Sequence, residues 1–337
     1  MSLIEQKTKV IDCNAFNSLL FQDCNEGLFI YHISGLFNDE PHEVIGVLSQ
    51  YRNKGKSMVY PHEEIDSQRL AALQQEIVQQ QGMSTPCYLV TNSKFYPRFT
   101  LSRLIQSAQP IISFKDKSFT HSIFYIHEAI DCIEVMLAIN RIEHFLIADG
   151  HHRFAAYQQQ TSIDTSSIVS LPVFITQTSE TKVKSFGLVG WLNEHFNWQQ
   201  LVDHCRQLGL KTCKEEQADF LIHYQNQKLV VAFDLLIGRK GFNQPGYHHN
   251  FILENLSSLN GVETISSEAL AFQHKNHLSD INLSSHYLFI QTRSPSVESI
   301  YQSALQGHLL PKKSTCFLFK PLEGVIDFLQ NEIKVAS

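Results

Sequence analysis

A short apolar run, Phe145-Leu146-Ile147-Ala148, stops at Asp149-Gly150-His151-His152-Arg153 and is followed at once by Phe154-Ala155-Ala156-Tyr157. The run reads as a buried strand, the glycine supplies a bend, and the alanine pair favours a helix. This strand–turn–helix unit is the strongest constraint on the fold, and its surroundings alternate in the same way. Ser67 to Gln81 reads as an amphipathic helix with Leu70, Leu73 and Ile77 on one face, ended by Gly82. Gly27 to Tyr31, Pro86 to Val90 and Leu171 to Ile175 read as strands, and Glu128 to Ile139 as a helix. The expected class is therefore mixed α/β (α+β).

After residue 178 the sequence turns polar, which places an expected boundary between domains 1–178 and 179–337. With 337 residues, each half is long enough for its own core. In the second half Leu201 to Leu208 and Ser296 to Leu305 read as helices. Ala218 to Tyr224 and Lys228 to Asp234 read as paired strands, Tyr287 to Thr292 and Thr315 to Phe319 as further strands, and Gly324 to Ile333 as a last helix. Trp191 and Trp198 are seven residues apart, as on one helical face, and are expected in the core. His248 and His249 are expected on a surface loop beside the glycine-rich stretch 238–246.

Composition excludes several function classes. Thirty-three acidic side chains against 27 Lys plus Arg give a net charge of −6, which disfavours a broad nucleic-acid surface. No apolar run reaches the roughly 18–20 residues that span a bilayer, and no apolar signal segment follows the start. Seven cysteines without a Cys-x-x-Cys pair fit a reducing cytoplasm. Cys87, Cys132, Cys205, Cys213 and Cys316 lie in apolar or helical runs and are expected to pack. No Gly-x-Ser-x-Gly elbow supports a hydrolase triad.

A helix that begins just after a glycine turn offers backbone N–H groups and a positive dipole end, which suit a phosphate. Arg153 can add a bidentate contact, His151 and His152 further donors, and Asp149 a carboxylate for Mg²⁺ or for a substrate proton. The same residues also read as a plain capped turn. Adjacent histidines point apart on a helix and do not form a metal pair. Glu63 beside His62 reads as a candidate base or metal ligand, or as a carboxylate at a helix start. Lys313, Ser314 and Thr315 can meet a phosphate as charge plus hydroxyls, but lack the glycine lead of a P-loop; a solvated basic turn is the alternative.

The segment Leu146 to Phe154 resembles the signature of the bacterial and archaeal family known as domain of unknown function 1015. Leu310-Pro311-Lys312-Lys313-Ser314-Thr315-Cys316-Phe317, followed by Lys320 and Gly324, resembles that family's C-terminal signature. His62-Glu63 followed by Arg69-Leu70 resembles its His-Glu segment. The turn also resembles the phosphate-binding Gly-x-x-Arg turn of ParB partition proteins, sulfiredoxin and free-serine kinases. The resemblance implies a ParB/sulfiredoxin-like N-terminal half, with Gly150, His151, His152 and Arg153 at nucleotide phosphate, together with Lys313, Ser314 and Thr315. It implies catalytic roles for Asp149, Glu63 and His152, with Asp149 the metal residue.

The implied function is a phosphotransferase that uses Mg²⁺ and ATP, ADP or pyrophosphate on a small hydroxylated metabolite such as serine or phosphoserine. The gene neighbourhood of such families, beside serine biosynthesis, points the same way. Its rivals are a nucleotide-gated regulatory protein and a non-catalytic member. His151 stands where a sulfiredoxin-like cysteine would, against reductase chemistry. The chain lacks the family's Pro-Pro-Tyr-Asp segment. It reads Lys184-Ser185-Phe186-Gly187-Leu188 where a Thr-His-Arg stretch is usual, and its spacing from His62-Glu63 to Arg69 is short. Expected partners are a small substrate and a nucleotide, with neither membrane nor nucleic acid.

Overall fold

Asn38 and Asp39 both take positive φ, 52° and 64°. They form the two-residue turn that joins β1 (Phe29–Phe37) to β2 (Glu40–Tyr51) as an antiparallel hairpin. The structure, a computed structural model, describes residues 28–51, 57–80, 83, 85–116, 119–163, 171–185, 187–234, 245–266, 286–310, 315–326 and 329. Its fold is mixed α/β. Two compact units divide the chain: Met1–Lys182 with Phe317–Ser337, and Val183–Cys316.

In the first unit the hairpin is followed by β3 (Met58–Tyr60), α1 (Ser67–Gln80), β4 (Cys87–Thr91) and α2 (Arg98–Ser107). Then come β5 (Ile112–Asp116), β6 (Phe119–Tyr125), α3 (Ala129–Asn140), β7 (His144–Asp149), α4 (His151–Ile163) and β8 (Leu171–Gln177). The eight strands form one sheet in the order β3-β7-β4-β8-β2-β1-β6-β5. Strands β7, β4 and β8 lie inside it, which is why they read as unbroken apolar runs rather than alternating ones. Val135, Met136 and Ile139 of α3 and Phe154 and Tyr157 of α4 close one core with Ile147, Leu89 and Val173 of the strands. Beyond the end of the β2–β8 ladder, the Ile45 N–H donates to Glu180 Oε2 at 2.7 Å. The same carboxylate accepts from Thr176 Oγ1 at 3.1 Å and pairs with Arg98.

The second unit contains β9 (Val183–Ser185), β10 (Leu188–Leu192), α5 (Trp198–Gln207), β11 (Leu210–Thr212), β12 (Phe220–Tyr224) and β13 (Gln227–Phe233). It continues with α6 (Tyr247–Leu256), β14 (Val262–Ser266), β15 (Tyr287–Thr292), α7 (Val297–Leu305) and β16 (Thr315–Phe317), which ends in the first unit. A six-stranded antiparallel sheet, β11-β13-β12-β15-β10-β14, carries its core. Among the described residues no helix is long and apolar enough to cross a membrane.

Two local expectations are corrected. The seven-residue spacing of the tryptophans does not lie along a helix: Trp191 is in β10, 39% exposed on its outward face, and Trp198 heads α5 after the Asn197 cap. His248 and His249 are not on a surface loop but in α6, because Tyr247 and Phe251 pack on Phe233 and draw the helix back to residue 247. His249 is buried, and His248 Nε2 lies 3.1 Å from Oδ1 of buried Asp219. Cys87, Cys132 and Cys205 are buried; Cys213 and Cys316 are partly exposed. Ile77 and most of the helix expected over 324–333 fall where side chains or backbone lie outside the described residues.

Candidate functional site

Strand β7 buries Phe145 to Ala148 and ends at Asp149. Its ladder with β4 shifts register there, with Tyr88 opposite Asp149 and Leu89 opposite Ile147. Such an irregularity re-aims the strand's last side chain. Gly150 follows at φ +92°, and the Phe154 N–H donates to its carbonyl at 2.9 Å, closing the first turn of α4. A Cβ at position 150 would meet Arg153 Nη2 and Cys87 Sγ at 2.9 Å, so both the φ and the space require glycine.

The reason for the crowding is that Arg153 folds back over its own turn. Its Nη2 donates to Asp149 Oδ2 at 2.8 Å and its Nη1 to the Thr85 carbonyl at 3.2 Å. The other carboxylate oxygen, Oδ1, accepts from Lys320 Nζ at 2.5 Å. Burial pushes the Asp149 carboxyl up, but Lys320 and Arg153 outweigh it and hold the group below the usual carboxylate range. Asp149 is therefore an anion between two cations. That donor set does not fit a protein-held Mg²⁺, because both oxygens already face positive charge. Among the described residues no cluster of three or more His, Cys, Asp or Glu side chains is placed to hold a metal ion.

The two histidines of the turn hold the segment ahead of α1. His151 is buried, and its Nε2 accepts the His62 backbone N–H at 3.3 Å and lies 3.1 Å from His62 Nδ1. Burial, and next the neighbouring His62 imidazole, hold the His151 pKa well below the ordinary histidine value, so it is neutral with its proton on Nδ1. His62 Nδ1 is 2.6 Å from the Ile147 carbonyl, which can only accept; that nitrogen is the donor. The other ring nitrogen, Nε2, lies 3.7 Å from Glu63 Oε1. His152 Nε2 accepts the Asp66 N–H at 3.0 Å, while Asp66 Oδ1 caps α1 by accepting from Gln68 and Arg69.

Thus Glu63, His62, His151, Asp149, Gly150 and Arg153 gather around the start of α4, with His152 on its outer side. Thr315 is buried at the end of the second unit, and Lys313 and Ser314 lie outside the described residues. Lys320 had no assigned role in the sequence; its only signal there was its place after the C-terminal signature. Thr85, which engages Arg153 through its carbonyl, leaves no trace in a sequence because any residue has one.

No curated protein matches the chain. Among solved structures, SbnI with a C-terminal truncation, from Staphylococcus aureus, is 11% identical, with 86% of this chain and 95% of that one covered and a TM-score of 0.48. A free serine kinase in complex with AMP is 15% identical, with 84% and 93% covered and a TM-score of 0.36. A conserved hypothetical protein from Pyrococcus furiosus is 14% identical, with 82% and 92% covered and a TM-score of 0.35. The family model described as "Protein of unknown function (DUF1015)" matches residues 15–165, a span that holds Glu63 and the whole Asp149–Arg153 turn. Over that region, a little under half of its length, the chain is similar to this family.

Proposed function

We propose that the turn Asp149 to Arg153 binds the phosphate chain of ATP, ADP or pyrophosphate. In this reading the protein moves a phosphoryl group to the hydroxyl of a small metabolite, with serine the first candidate. The observation that carries it is Arg153 folded back against Gly150, which keeps a guanidinium beside the residue that leads into α4. A guanidinium and a helix start at one point suit a phosphate better than any other common ligand. Phosphoryl transfer asks little more of a protein than alignment and charge neutralisation.

In the proposed step the metabolite's hydroxyl oxygen bonds to the donor's terminal phosphorus as the bridging P–O bond breaks. The electron pair leaves with the shortened donor, and the hydroxyl proton passes to the Glu63 carboxylate. His62, whose Nε2 faces Glu63 while its Nδ1 is held by the Ile147 carbonyl, orients that base. Asp149 keeps Arg153 turned back over the helix start rather than out to solvent.

The test is incubation with ATP, ADP or pyrophosphate plus serine, reading phosphoserine by mass spectrometry, alongside thermal melting with each phosphate compound. Phosphoserine formation and a raised melting temperature are expected. Neither product nor melting shift with any donor overturns the reading.

A second reading draws on the turn alone: Asp149 is engaged by Arg153 and Lys320, so the turn offers cations for binding but no acceptor of its own. A regulatory protein that binds nucleotide without turnover would need no base there, and it predicts the melting shift without phosphoserine.

A further inference from the structure

The chain from Phe317 to Leu322 lies across the first unit, held at successive residues. Phe317 is buried, with its ring 5.1 Å from that of His62. The Leu318 N–H donates to the Lys182 carbonyl at 2.8 Å, and its own carbonyl accepts from Thr181 Oγ1 at 3.3 Å. Phe319 stacks on His42 at 4.2 Å and meets Phe37 and Phe119 edge-on at 5.4 and 5.2 Å. The Leu322 N–H donates to the hydroxyl of fully buried Tyr31 at 3.2 Å.

Within this strap Phe319 takes φ +58°, a conformation that an L residue with a bulky side chain adopts only when its surroundings compel it. The compulsion is visible: Phe319 is 9% exposed, its ring held in an aromatic box, and its backbone leads directly into the next side chain. That next side chain is Lys320, whose ammonium reaches Asp149 from 171 positions away in the sequence.

We infer that Lys320 is a second anion-binding residue of the α4 site, delivered by this strap, and that Phe319 is the positioning residue that aims it. The inference rests on the phosphate-binding reading above. Asp149 holds the Lys320 ammonium and the Arg153 guanidinium on its two oxygens, so the cations stand one carboxylate apart. Two cations at that spacing meet two oxygens of one phosphate group. An ammonium serves several acceptors at once, so Lys320 meets a phosphate without releasing Asp149. The ligand class is a compound carrying a diphosphate, whose charge asks for more than one guanidinium.

The experiment is calorimetric titration of the full chain with pyrophosphate and with ADP, at low and high salt, for the wild type, Lys320→Met, Lys320→Arg, Phe319→Ala and Phe319→Tyr. Lys320→Met is expected to weaken binding about tenfold at low salt, with the difference shrinking as salt rises. Lys320→Arg is expected to recover most of the loss. Phe319→Ala, which keeps the charge but removes the anchor, should resemble Lys320→Met, whereas Phe319→Tyr should bind nearly as the wild type.

If the wild type binds neither compound, the phosphate reading fails and this inference with it. If the wild type binds and Lys320→Met binds equally well, the inference alone is overturned. A loss that Lys320→Arg does not recover and salt does not diminish means a packing role, and overturns it as well. Unchanged binding in Phe319→Ala overturns the role of Phe319. Lys320 is 38% exposed, so its variants remain informative even if Phe319→Ala fails to fold.

Discussion

His151 Nε2 lies 3.1 Å from His62 Nδ1, in a buried contact between residues 89 positions apart. Only one of the two facing nitrogens can carry a proton, and the Ile147 carbonyl assigns it to His62. His151 Nε2 is thereby the acceptor of the pair, and His62 is held with its Nε2 toward Glu63.

The first prediction concerns acid. His151 is held well below the ordinary value of 6.5 by burial and then by the His62 imidazole. In the unfolded chain the same ring takes up a proton as pH falls through 6.5, and in the folded chain it does not. The unfolded state then binds more protons, so stability falls with falling pH, at up to about 1.4 kcal/mol per pH unit for one such group. His32, His121 and His223 are lowered by burial and add the same sign. Urea unfolding at pH 7.5, 6.5 and 5.5 is expected to show this slope, and His151→Gln to make it shallower.

Gly150→Ala should both destabilise the protein and displace Arg153. The new methyl group would stand 2.9 Å from Arg153 Nη2 and Cys87 Sγ at φ +92°. Cys87 is fully buried and cannot retreat, so the arginine must. A loss of about 1–3 kcal/mol is expected from strain and overpacking, read by chemical denaturation. A loss below experimental error would mean that the turn relaxes freely.

Glu180→Ala should cost about 1–3 kcal/mol, as for a buried donor left without its acceptor. It leaves the Ile45 N–H, the Thr176 hydroxyl and Arg98 without their common acceptor. Glu180→Gln retains an acceptor for Ile45 and should cost less. The order of the two melting temperatures is the check.

Thiol labelling separates the cysteines. Burial pushes the Cys87 and Cys205 thiols up to about 12, so neither should react with iodoacetamide in the folded protein at pH 8. Among the cysteines of the described residues, Cys213 and Cys316, which are partly exposed, should label before the buried ones in peptide mapping. Early labelling of Cys87 would show that the β4–α4 contact opens.

The strand–turn–helix unit at 145–157 was legible because its three signals are local: an apolar run, a glycine and a helix-favouring pair. The paired strands β12 and β13 were legible for the same reason. The tryptophan spacing misled because the period spans a strand, a turn and a helix start, each with its own repeat. His248 and His249 misled because a glycine-rich neighbour suggests a loop, whereas Phe220 and Phe233 supply a packing surface that no local pattern contains. In the candidate site, Arg153 and Asp149 are only four residues apart, but Asp149 ends β7 and Arg153 lies in α4, so the pair depends on the turn at Gly150. Lys320 on Asp149, and His62 on His151, depend on the path of the chain through the fold.

The backbone leaves the first unit after Lys182 and rejoins it at Phe317, and the Leu318 N–H closes on the Lys182 carbonyl at 2.8 Å. Exit and re-entry are thus adjacent. The intervening residues amount to an insertion spliced into a host, and a tight loop joining 182 to 317 would restore an uninterrupted host chain with its aromatic strap in place. A truncation that simply stopped at 182 would instead discard the strap and, with it, the ammonium on Asp149.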